Sequence, residues 1–219
     1  MSNTVLIIGP SGSGKSSSMR NLDPKTTFVL SVLDKPLPFK SYKKNYIPIK
    51  GWDDTTGNYY ASDDWIRILK CIEMVNKNRP EMTTLVIDDM QYVLANEFIR
   101  RCSEKSFDKY NELANHYWQI INAANSCRSD LITFFFSHNE IDNTGRSKIK
   151  TIGKLLDEKI TIEGMFTTVL NTAVIDGKYQ FITQNDGFNT TKSPYGMFDD
   201  NAIDNDLNIV IEKLTEYFN

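Results

Sequence analysis

Gly9-Pro10-Ser11-Gly12-Ser13-Gly14-Lys15-Ser16 follows directly on the apolar run Val5-Leu6-Ile7-Ile8. The octapeptide has the G-x-x-x-x-G-K-[ST] spacing of a phosphate-binding loop, the Walker A motif, and a preceding strand is the context such a loop requires. A triphosphate needs many N–H donors aimed at one point, so the backbone must curl with its amides exposed. Gly9, Gly12 and Gly14 permit this, having no Cβ to block positive φ or close approach. Pro10, Ser11, Ser13 and Ser17 complete the cradle. Lys15 is spaced to reach the β- and γ-phosphates, and the Ser16 hydroxyl to meet a Mg2+ ion. A short helix expected over Lys15–Asn21 adds its N-terminal dipole to the same anion site. The stretch implies a nucleoside-triphosphate site, with ATP and Mg2+ as the expected ligands.

Composition narrows the class. The 219 residues suffice for one P-loop domain, 1–219, with a core large enough to fold unaided. A net charge of −3 supplies no global positive field, so any nucleic-acid contact must come from a local basic patch. Cys71, Cys102 and Cys127 lack metal-ligand spacing and read as reduced thiols of a cytoplasmic protein. With His116 and His138 the only histidines, no zinc site is expected. The first strand begins within about four residues of Met1, leaving no room for a signal peptide. No apolar run approaches the ~20 residues that span a bilayer, so no membrane partner is expected.

Hydrophobic periodicity orders the chain as strands alternating with helices. Strands are expected over Thr4–Ile8, Thr27–Val32, Thr83–Asp88 and Leu131–Ser137, with a possible short one at Tyr46–Ile49. Ser62-Asp63-Asp64 can cap a helix over Trp65–Asn78, whose apolar positions are Trp65, Ile66, Leu69, Ile72 and Met74/Val75. Residues 91–129 are helical in character, with a break near Ser103–Phe107. Trp65, Trp118 and Phe134–Phe136 read as core. Thr161–Ile175 and Lys178–Gln184 meet at Asp176-Gly177, a strong hairpin signal, and an amphipathic helix follows over Asp206–Phe218. This order implies right-handed crossovers and a mainly parallel sheet, with ligands beyond the carboxyl ends of its strands.

Residues at those ends should converge. Leu85-Val86-Ile87-Asp88-Asp89 is an apolar strand ending in two carboxylates, the Walker B pattern. Asp88 is placed to hold a hydrated Mg2+ together with Ser16. Asp89 can act as the base that positions an attacking water; Asp34, after the second strand, is a second candidate and Glu140 a third. Ser137-His138-Asn139 closes the fourth strand. If that strand lies between the first and third, His138 faces the γ-phosphate and can report on hydrolysis; the competing assignment is a solvent-facing loop histidine. Thr144–Lys154 carries Arg146, Lys148, Lys150 and Lys154 with no acid and two glycines, which suits a mobile loop on a phosphate backbone or, equally, a solvated charge run. Lys192, on a stretch stiffened by Pro194, is either a cation reaching a neighbouring subunit's nucleotide or part of a surface turn.

In this order the pieces resemble the RecA-like, AAA-type P-loop ATPases of bacteriophages, a group related to phage single-strand annealing ATPases. Beside GPSGSGKS and LVIDD, the likeness rests on DKPLPF at 34–39, KTIGKLLDEKITIEGMFTTVL at 150–170 and KSPYGMF at 192–198. It implies a three-layer α/β sandwich (RecA-like, ASCE) with a C-terminal β-hairpin and helix. It also implies a homo-oligomeric ATPase on single-stranded DNA in phage recombination or replication, in the host cytoplasm. A polar switch at 138 followed by a DNA-binding loop at 139–153 matches the group's arrangement. Asp89 departs from it, since Glu is usual after the Walker B aspartate, and this implies slow turnover. The alternatives are a small-molecule or nucleotide kinase and a nucleotide-gated assembly ATPase without DNA contact. Against the kinase stands the lack of an Arg-rich lid, and against a GTPase the lack of Asn-Lys-x-Asp.

Overall fold

The structure, a computed structural model, describes residues 2–218. Five parallel strands form around the phosphate loop: β1 (Asn3–Ile8), β2 (Thr27–Ser31), β3 (Tyr59–Ala61), β4 (Thr84–Asp88) and β5 (Ile132–Ser137). β6 (Asn139–Ile141) and β7 (Ser147–Ile149) pair as a separate hairpin, while β8 (Thr168–Ile175), β9 (Lys178–Ile182) and β10 (Ala202–Asp204) extend the main sheet. The eight-stranded order is β10-β9-β8-β1-β5-β4-β2-β3. β8 is parallel to β1, β9 runs opposite to both, and β10, antiparallel to β9, returns to their direction. β5 therefore lies between the phosphate-loop strand β1 and the Asp88 strand β4.

The helices are α1 (Tyr42–Asn45), α2 (Trp65–Asn78), α3 (Gln91–Arg100), α4 (Asp108–Asn125) and α5 (Leu207–Phe218). Central strands are apolar on both faces because both are covered. Leu6, Ile8, Leu85, Ile87 and Phe135 pack with α2, α3 and α4, while Val5, Ile7, Val86, Phe134 and Phe136 pack with Met19 and α5. This is a mixed α/β sandwich of the P-loop, RecA-like kind. Among the described residues no helix is long and apolar enough to cross a membrane.

Several expectations change. The helix over Lys15–Asn21 is only a 3-10 turn, Ser16–Met19. Three consecutive serines are poor helix formers, and the Ser18 hydroxyl donates to the Lys15 carbonyl at 2.5 Å instead of leaving the backbone to propagate. A single turn carries no macrodipole of consequence, so the loop amides alone must serve an anion. Tyr46–Ile49 is not a strand; Pro48 lacks the N–H for a ladder, makes one isolated bridge to Tyr59, and β3 takes the sheet edge. The strand expected from Thr161 begins at Thr168, since Ile162–Met165 is a 3-10 turn around Gly164.

Ile66 and Trp118, read as apolar-face and core residues, are 58 % and 43 % exposed. The buried face of α2 is Ile68, Cys71, Ile72, Met74 and Val75. The α2 cap is as expected, with Asp64 accepting from the Arg67 amide at 3.0 Å. So is the hairpin turn, where Asp176 and Gly177 both take positive φ, 50° and 76°.

Candidate active site

The carboxyl ends of β1, β5, β4 and β2 lie side by side and are stitched together by the backbone. The Gly9 amide donates to Ser137 O at 3.3 Å, Met90 N to Phe136 O at 2.8 Å, and Val32 N to Asp88 O at 3.0 Å. Residues far apart in sequence are thereby fixed within one cleft edge. Gly9 is needed for close approach: a Cβ there would stand 1.9 Å from Thr172 Oγ1 of β8. The Ser13 hydroxyl bonds the same Thr172 hydroxyl at 2.5 Å, tying the loop to β8.

Lys15 is buried and donates to the carbonyls of Gly9 and Pro10 at 2.7 and 2.8 Å. Burial pushes its ammonium down to about 8, against the pull of Asp89 and Asp88. It remains a cation at neutral pH, held beside the loop that phosphates would occupy.

The Ser16 hydroxyl donates to Asp88 Oδ1 at 2.9 Å. Asp88 is fully buried and its Oδ2 has no protein partner. Burial, and then the neighbouring Asp89, raise its carboxyl above the usual range. A hydroxyl and an unpartnered buried carboxylate oxygen are the donor set a hydrated Mg2+ requires, so the residues fit this ion. Among the described residues no three His, Cys, Asp or Glu side chains converge as a cage. An ion shared with phosphates and water needs none.

Asp89 adopts φ 63°, in the left-handed region that a non-glycine residue enters at some cost. That conformation turns its buried carboxylate between the Lys35 ammonium and the His138 imidazole. Lys35 Nζ lies 2.5 Å from Oδ2 and His138 Nε2 lies 3.9 Å from Oδ1. Burial lowers the Lys35 ammonium, but the hydrogen bond to Asp89 and the charges of Asp89 and Asp88 together outweigh this and carry it above the ordinary lysine value. His138 is held below the usual histidine value by burial and by Lys15, so it is neutral at physiological pH. The Tyr92 ring meets it edge-on at 6.0 Å.

Of the three carboxylates considered for the base, only Asp89 joins this group. Asp34 accepts from Tyr59 Oη at 3.1 Å, and Glu140 lies 3.5 Å from Lys148 on the β6–β7 hairpin.

The basic segment is partly regular structure rather than loop throughout. Its first half forms the turn and the second strand of the β6–β7 hairpin, anchored where Lys150 N donates to His138 O at 2.9 Å. Arg146 and Lys150 are exposed, but Lys148 is paired with Asp157 and Glu140, and Lys154 faces Glu158 at 3.9 Å. Half of the expected positive charge is thus neutralised by acids lying beyond the segment that sequence reading considered. Lys192 is half-buried and bridges β8, with Lys192 N donating to Val169 O at 2.9 Å. Burial lowers its ammonium, against the pull of Glu163.

Sequence reading missed Lys35 and Tyr92. A lysine directly after Asp34, at the carboxyl end of the second strand, was the available signal: that edge is where ligands of such sheets bind.

This geometry defines a P-loop nucleotide-binding protein of the ATPase class. More narrowly, residues 1–195 match the family described as AAA domain, and the chain belongs to that family. No curated relative matches the sequence.

Proposed function

We propose that the chain is a Mg2+-dependent ATPase that acts on single-stranded DNA as a homo-oligomer, in the recombination or replication of a bacteriophage. The observation that carries the hydrolytic reading is the Ser16–Asp88 contact, with the second Asp88 oxygen unpartnered beside the phosphate loop. Mg2+ when bound neutralises charge that builds on the phosphate oxygens. Lys15 leaves its carbonyl partners to pair with the β- and γ-phosphates. Asp89 positions the attacking water and accepts its proton, and Lys35 fixes the orientation of that carboxylate. His138, neutral and within reach of Asp89, is the polar group that distinguishes ATP from ADP.

The link to a second ligand runs through the backbone. His138 O accepts from Lys150, so a nucleotide-dependent displacement of the His138 backbone would be passed to the base of the β6–β7 hairpin. His138→Ala is expected to retain nucleotide binding and lose the ATP-against-ADP difference in hydrogen exchange over residues 139–153. Equal nucleotide-dependent protection in variant and wild type would remove the sensor role.

The DNA reading is supported by Arg146 and Lys150, exposed on that hairpin. Replacing both by alanine should flatten the salt dependence of single-strand affinity by about one to two units, at ~0.7 per lost phosphate contact. Lys148→Ala should change the slope little, because its charge is already paired. Fluorescence anisotropy with a labelled oligonucleotide, ATP and Mg2+ makes the test. An unaltered slope in the double variant, or no wild-type binding at low salt, contradicts the DNA role.

One observation favours a nucleotide-gated assembly ATPase instead. The hairpin's charge is half neutralised, and Ile141 on it and Phe188 beside it are 64 % and 69 % exposed, a surface fit for protein exchange.

A further inference from the structure

We infer that the cavity flanking Ser17 is the nucleobase subsite, and that Asn205 selects adenine there through its side-chain amide. The inference rests on the triphosphate reading above and adds the base to it. The cavity, about 520 Å3, lies between the 3-10 turn (Ser17, Arg20), the β8–β9 hairpin tip (Gly177, Tyr179) and the β10–α5 junction (Asn205, Asp206). That is the size of sites that hold small ligands.

Its position follows from the sheet order. Asp88 ends β4, on one side of β1, while Tyr179 and Asn205 belong to the β8–β9–β10 side. A triphosphate lying along the loop with its γ-end at Asp88 and Ser16 has its α-end at Ser17. The nucleoside then leaves the loop toward Arg20, Tyr179 and Asn205.

Asn205 is 2 % exposed, yet neither Nδ2 nor Oδ1 has a hydrogen-bond partner. Buried amides without partners are rare because each lost bond leaves a desolvated dipole. The backbone of the same residue is well satisfied: Arg20 Nη1 donates to its carbonyl at 2.5 Å and its amide donates to Tyr179 O at 3.3 Å. Only the side chain lacks a counterpart.

It sits directly against the phosphate loop. A Cβ on Gly14, at φ +99°, would stand 3.1 Å from Asn205 Oδ1 and 2.9 Å from Tyr179 Cδ1. A carboxamide offers one acceptor beside one donor, the complement of adenine's amino group and adjacent ring nitrogen. Asp204, which also lines the cavity, adds an acceptor that favours an amino group and opposes the guanine O6. Both amide atoms are closed off from solvent, so a base reaches them only if the neighbouring half-exposed Tyr179 ring turns aside, where it would stack on the base.

Titration calorimetry with ATP, GTP and inorganic tripolyphosphate, each with Mg2+, tests this on the full chain. Wild type is expected to bind ATP about tenfold or more tightly than GTP, since a bidentate amide–base pair discriminates by that order. Asn205→Ala should bring ATP to within about threefold of GTP with tripolyphosphate binding unchanged. Tyr179→Ala, at a half-exposed position that leaves the fold intact, should weaken ATP about tenfold and tripolyphosphate not at all. Wild-type indifference between ATP and GTP, a preference for GTP, or unchanged ATP affinity in Tyr179→Ala overturns the subsite while tripolyphosphate binding upholds the phosphate loop. Failure of all three ligands to bind wild type overturns the triphosphate reading and the subsite together.

Discussion

Lys15→Ala lowers ATP hydrolysis by about 10²–10³-fold, the range for removing one preorganised charge from a developing phosphate oxyanion. Triphosphate affinity falls with it, since the ammonium also binds the ground state. The fold survives. Lys15 is buried, but it packs against its own loop, and its lowered pKa shows that the site disfavours the charge. What the variant loses structurally is two hydrogen bonds to the Gly9 and Pro10 carbonyls, about 1.5–3 kcal/mol each for a charged donor, offset by release of the buried charge and by water that replaces the ammonium. Phosphate release and a thermal melt on the same sample separate the two effects. A folded Lys15→Ala protein with wild-type turnover would contradict the assignment of the loop.

Asp88→Asn has two expected effects of opposite sign. Hydrolysis drops by about 10²–10³-fold, because the amide cannot neutralise the metal that the phosphates share. Stability without Mg2+ rises. Asp88 is fully buried, its carboxyl is raised by burial and by Asp89, and one oxygen is unpartnered. Between its unfolded value, about 3.9, and its raised folded value the folded state holds more protons. Stability therefore falls as pH rises through that window, and an uncharged isostere that keeps the Ser16 hydrogen bond escapes the loss. In EDTA at about pH 8 the variant should melt several degrees above wild type, and the gap should close as the pH falls toward about 4. Mg2+ should stabilise wild type and leave the variant unmoved. A variant that melts lower in EDTA at every pH, and still responds to Mg2+, would show that Asp88 is a structural cap.

The octapeptide at 9–16 and the strand-plus-carboxylates at 85–89 were legible because each is local: spacing alone carries the chemistry. The mainly parallel sheet was legible too, since alternation of strands and helices leaves few topologies; that β5 lies between β1 and β4 was only a condition of the His138 reading, and the structure meets it. Parts that depend on residues distant in sequence were not. Lys35 matters only because the strained backbone of Asp89 turns a carboxylate toward it, and no periodicity announces a φ of 63°. The pairing of Lys148 by Asp157 depends on how a π-helical turn, Leu155–Lys159, folds back beside the hairpin. The serine run after Lys15 shows the reverse case: local chemistry did decide, and the expectation of a helix gave its side-chain hydroxyls too little weight against the usual helix of a P-loop. Asn205 lies ten residues beyond the family match at 195 and belongs to no motif; only its unsatisfied amide marks it.

The most direct test of the central claim is phosphate release from ATP by the purified wild-type chain, measured with Mg2+ and with EDTA, and with and without single-stranded DNA. The account predicts release that requires Mg2+, is abolished by Lys15→Ala and by Asp88→Asn, and rises on addition of single strands. Turnover that persists in EDTA or in both variants, or no turnover in Mg2+ under any condition, would contradict it.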